Sequence, residues 1–164
     1  MKTKTTSLAA LRLQKFLYNK MAVLGFVLMM FIILSCVFAP LITPYDPTLI
    51  DVSIKELKPS AEHLLGTDRL GRDILARLLY GGRISIWIGL ASAAGASLIG
   101  VVLGCISGYF GGWVDNLIMR FTDAFKSIPS LMFAMMMATI FGKGMNTTIA
   151  AITLILIPQF IRLT

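Results

Sequence analysis

Charge is scarce in this sequence. Only 14% of its 164 residues are charged, against about 25% in ordinary soluble domains. One histidine, His63, stands without a second histidine or cysteine nearby, so no metal site is supported. The two cysteines, Cys36 and Cys105, both lie in apolar runs. They make no disulfide framework and are expected to be small buried hydrophobes. No H-E-x-x-H motif, Ser-His-Asp set or Cys/His metal spacing occurs, and no cofactor is expected. Intramembrane carboxylate pairs, the mark of a proton relay or an intramembrane protease, are missing from the apolar runs. Neither internal repeats nor low-complexity stretches are present.

What is present is apolar. Hydrophobic types make up 57% of the chain, and the mean hydropathy is +0.82. A water-soluble domain of this size has too little interior to hide that surface, and intrinsic disorder needs low hydrophobicity. The solvent for most of the chain is expected to be lipid. The net charge of +7 is a tail rather than a face. Lys2, Lys4, Arg12, Lys15 and Lys20 precede the first apolar run with no acid among them, whereas residues 41–83 hold six bases and six acids. Nucleic acid is therefore excluded as a partner.

Four apolar runs follow. Met21–Ala39 is uncharged for nineteen residues, about 28 Å as a helix, and Pro40 and Pro44 close it. It is too long for a signal-peptide core and lacks an A-x-A site. Ile33-Leu34-Ser35-Cys36 is only loosely like a lipoprotein box, and the later runs argue against that reading. Ile84–Ser107 is the clearest span. Ile128–Phe141 is short, so its helix is expected to start near Trp113, with an amphipathic half entering obliquely and a kink at Pro129. Asp115 and Asp123 on that half are expected to face water. Thr147–Ile161, interrupted by Pro158, is the fourth.

The expected fold is an all-α, polytopic transmembrane bundle of about four spans. Residues 1–20 form a cytoplasmic basic tail, 21–40 the first transmembrane helix, 41–83 an extracytoplasmic loop with an amphipathic helix, and 84–164 three further spans. The bases in the tail place it inside.

Two motifs stand out. Ser92, Ala96, Gly100, Gly104 and Gly108 fall at every fourth position, which puts five small side chains on one helix face for close packing. The partner helix is either in this chain or in another. The outer loop carries Gly66-Thr67-Asp68-Arg69-Leu70-Gly71-Arg72-Asp73. Its glycine spacing imitates a P-loop, but Arg72 replaces the lysine and Asp73 the magnesium-binding hydroxyl, so nucleotide binding is rejected. Thr67 or Asp68 is expected to cap a short helix. Ile74, Leu75, Leu78 and Leu79 form its apolar stripe, Asp73 and Arg77 an i,i+4 pair, and Gly81-Gly82 its end.

That loop, from His63 to Asp73 and on through Arg77, Gly82 and Arg83 to Ser85, resembles the membrane permease subunits of bacterial ABC importers for dipeptides, oligopeptides and nickel. The second of the two permease subunits is the nearer likeness. The resemblance extends over Phe38-Ala39-Pro40, Tyr45-Asp46-Pro47, Gly108–Asp115, Met119-Arg120 and Ile128–Leu131, essentially the whole chain. It implies a multi-pass protein of the cytoplasmic membrane. The implied partners are a second permease subunit, two cytoplasmic ATPases, an extracytoplasmic substrate-binding protein and membrane lipid. It implies transport of peptides or a metal complex by alternating access, without bond chemistry. Such permeases are about twice as long, with six spans and an ATPase-docking loop after the fourth. This chain stops at Arg162-Leu163-Thr164, so the expectation is a fragment or a truncated gene product. The alternative function is a non-transporting membrane-interaction fragment.

Overall fold

The computed structural model describes residues 14–164; most of the basic tail, including Lys2, Lys4 and Arg12, lies outside them. The chain forms two compact units, residues 1–83 and 84–164. Among the described residues every regular element is helical: α1 (Lys20–Val37), α2 (Ala39–Ile42), a 3-10 turn (Val52–Ile54), α3 (Ile74–Phe110), α4 (Gly112–Lys126), α5 (Ser130–Phe141) and α6 (Met145–Leu163).

In the first unit, Asn19 starts α1 by accepting a hydrogen bond from the Ala22 amide at 3.2 Å. The helix stops before Pro40, which is placed instead in the first turn of α2, where its missing N–H is no loss. α1 covers the first apolar run within two residues at each end. Its side chains are outward-facing: Met21, Phe31 and Ile32 are all more than half exposed, which suits lipid and not water.

α3 is 37 residues long, about 55 Å. The expectation that Gly81-Gly82 ends a short helix is wrong, because α3 runs straight through both glycines. Two helical glycines cost about 1 kcal/mol each relative to alanine, but packing outweighs propensity here. A Cβ on Gly82 would lie 2.5 Å from the Cys36 sulfur, so the glycine is what lets α1 approach. The two helices meet along an apolar groove of about 580 Å³ lined by Phe31, Cys36, Leu75, Leu78 and Leu79 among others. Cys36 is buried there as expected, whereas Cys105 is exposed on the outside of α3.

In the second unit, α3 and α6 pack in parallel. The Ser92 hydroxyl donates to the Ile149 carbonyl at 3.3 Å. Gly95 faces Thr153, Gly100 faces Ile157, Phe160 and Ile161, and Gly104 faces Ile161 and Thr164. The contacts advance in the same direction along both helices. Parallel neighbours require a return crossing between them, and α4 and α5 supply it. They are bent by 83° at residues 127–129, far more than the oblique kink expected at Pro129. Proline cannot continue α4, and it pushes the residue before it out of helical geometry. α5 then runs back along α6, and Phe125 of α4 meets Phe133 of α5 with ring centres 5.1 Å apart. Pro158 is buried inside α6 without ending it, as membrane helices tolerate.

Candidate functional site

Two sites carry the sequence motifs, one in each unit. The first is the loop before α3. Residues 51–57 and 67–70 run side by side, with the Asp51 amide donating to Leu70 at 3.2 Å, Glu56 to Asp68 at 3.0 Å, and Thr67 to Leu57 at 3.1 Å. The buried Thr67 hydroxyl donates to the Ile54 carbonyl and accepts from the Leu57 amide. Gly66 and Gly71 have φ of +77° and +74°, and a Cβ on either would strike a carbonyl oxygen, that of Leu57 or that of Asp51. The motif glycines are thus required by conformation and by close approach together.

Asp68 is the hub. One carboxylate oxygen accepts from the Leu70 and Arg72 amides at 2.8 and 3.0 Å, and the other takes the Arg72 guanidinium at 2.9 Å and Arg77 as well. Burial pushes this carboxyl up, but the Arg72 side chain and amide, the Leu70 amide and the Arg72 charge outweigh it, leaving it well below the usual carboxylate range. A depressed carboxyl stabilises the fold above its ordinary pKa, and that contribution fades only as pH falls from there toward the depressed value.

The α3 cap is Asp73, neither Thr67 nor Asp68. One Asp73 oxygen accepts from the Ala76 amide at 2.7 Å, and the other meets His63 Nδ1 at 2.9 Å. Both side chains are buried, and Tyr45 lies against the imidazole with ring centres 4.7 Å apart. The expected Asp73–Arg77 pair does not form, because Asp73 is turned inward to His63 and Arg77 reaches back to Asp68. Arg83 is exposed on α3. Every other motif residue from Gly66 to Arg77 is used to close this cap, so the motif builds a rigid loop rather than a phosphate cradle. Removing the cap with Asp73→Ala should cost about 1 kcal/mol or more, while Asp73→Asn, which keeps an acceptor for the Ala76 amide, should lose less. Protease nicking between residues 55 and 70 in membranes is the measure, and equal nicking of the two variants would count against the capping role.

The second site is the small-residue face of α3. Ser92, Ala96, Gly100 and Gly104 are all buried, and their partner is α6 of the same chain. Gly108 does not belong to the face: it is exposed, and nothing lies within 4 Å of where its Cβ would be. A strict four-residue step drifts around a 3.6-residue helix, and the buried position at that level is Ser107. The Ser107 hydroxyl donates to Asp115 at 2.6 Å, and Asp123 pairs with Arg162. Asp115, expected to face water, is half-buried and tied to α3, whereas Asp123 is exposed as expected, with its Arg162 partner at the surface beside it. Gly95, missed because it lies off the fourfold register, also packs closely, its Cβ position 3.2 Å from Thr153.

Outward apolar helices, a parallel pair packed through glycines and a proline-broken return define a polytopic helical membrane protein. Residues 7–59 match the N-terminal membrane domain of oligopeptide transport permease C, and residues 100–164 match the binding-protein-dependent transport system inner membrane component. The oligopeptide transport system permease protein OppC of Bacillus subtilis is 40% identical over 151 residues, 92% of this chain and 50% of its own length. The dipeptide transport system permease protein DppC of Alkalihalophilus pseudofirmus is 39% identical over 145 residues, 88% of this chain and 48% of its own. The probable D,D-dipeptide transport system permease protein of Escherichia coli is 40% identical over 145 residues, 88% and 49% respectively. The chain belongs to the family of binding-protein-dependent inner-membrane permeases of ABC importers, whose members are not themselves enzymes. It spans about half the length of the curated relatives it matches.

Proposed function

We infer that this chain is part of a permease subunit that lines a peptide path across the cytoplasmic membrane. Peptide is favoured over nickel because the relatives at about 40% identity are named as dipeptide and oligopeptide permeases. The observation that carries the reading is their agreement over most of this chain, from the first span through the loop to α6. The loop held by Asp68 and Asp73 is a rigid outer platform, and the glycine contact of α3 with α6 is a rigid internal element. Such elements can move as bodies when ATP binding elsewhere drives alternating access. The partners in this reading are a second permease subunit, two cytoplasmic ATPases and an extracytoplasmic binding protein.

A chimera tests it. This chain is joined to the remaining half of a related dipeptide permease and expressed in cells lacking the native subunit. Uptake of labelled dipeptide above the vector control is expected. A chimera that reaches the membrane and assembles but moves no dipeptide would overturn the reading.

The orientation is a second part of the proposal. With the basic tail inside, residues 41–73 face outward. A membrane-impermeant thiol reagent should label Glu62→Cys on intact cells and leave Lys15→Cys unlabelled until the cells are opened. The opposite pattern would reverse the topology.

A further inference from the structure

We draw no further inference here: the strongest candidate, the cavity of about 240 Å³ beside the buried His63–Asp73 pair in the outer loop, lined by Thr43, Tyr45, Glu62 and Asp73 among others, belongs to the site already described, because both Asp73 oxygens are taken by the Ala76 amide and His63.

Discussion

Gly100→Leu should separate α3 from α6. A Cβ at this position would overlap the Phe160 Cβ and stand 3.2 Å from both the Ile157 carbonyl oxygen and the Ile161 amide nitrogen. Two of these neighbours are backbone, so no rotamer change makes room, and the helices must move apart. Overpacking costs about 1–3 kcal/mol in a core that can adjust, and a backbone obstacle belongs at the top of that range. The loss spreads, because separating the helices also breaks the Ser92–Ile149 hydrogen bond and the Thr153 contact on Gly95. Lipid gives α3 no other reason to stay near α6, since hydrocarbon solvates an apolar helix as well as a neighbour does. Detergent-induced unfolding in mixed micelles measures the effect, with two controls. Val102→Leu is on the exposed side, and Gly108→Leu has open space around it; both should behave like the parent. If Gly108→Leu is as damaging as Gly100→Leu, the packed face extends further than the contacts with α6 do.

The difference between those two glycines also separates what a sequence can and cannot convey. Fourfold spacing identified a close-packing face because small side chains at i, i+4 and i+8 share one side of a helix. It could not say where the contact ends, since that depends on where the partner helix lies. The spans were legible for a similar reason. Length and apolarity are properties of a segment alone, and α1, α3 and α6 follow their apolar runs to within a few residues or extend them. The all-helical fold follows from the same physics, because backbone polar groups in hydrocarbon must be satisfied within the segment.

Partners across the loop were not legible. Asp73 and Arg77 are correctly spaced for an i,i+4 pair, yet each has a better partner at longer range. Asp73 finds His63 ten residues back, and Arg77 finds Asp68 nine residues back. Both depend on Gly66 and Gly71 turning the chain, and local spacing is silent about that closure. His63 illustrates the cost of reading residues singly. Without a second metal ligand it offered no chemistry, but it is the buried partner that holds the cap residue of α3 in place. In α4 the helical period located the amphipathic half, while the destinations of Asp115 and Asp123 lay on α3 and α6. Gly81-Gly82 looked like punctuation because glycine ends isolated helices; against α1, Gly82 is a point of approach.

Gly71→Ala should be the most damaging single methyl in the outer loop. Two costs coincide at this residue. Its φ of +74° is a conformation that alanine adopts poorly, a strain of about 1 kcal/mol or somewhat more. The added Cβ would also overlap the Asp51 carbonyl, with the Asp51 Cα only 3.4 Å away. That carbonyl cannot retreat cheaply, because the Asp51 amide is bonded to Leu70 at 3.2 Å and ties the two sides of the loop together. The combined cost is about 2–4 kcal/mol, taking strain and overpacking together. Gly111→Ala separates the two terms. Its φ is +57°, but nothing lies within 4 Å of its Cβ position, so it should show the strain alone. Hydrogen exchange of the Glu56 and Thr67 amides, both bonded across the loop, reads the first variant. That of Val114 and Asp115, both bonded to the Gly111 carbonyl, reads the second. Gly71→Ala should speed exchange across the whole loop, and Gly111→Ala should act only on the first turn of α4. If the Glu56 and Thr67 amides stay protected in Gly71→Ala, the contact between Gly71 and Asp51 does not hold the loop closed.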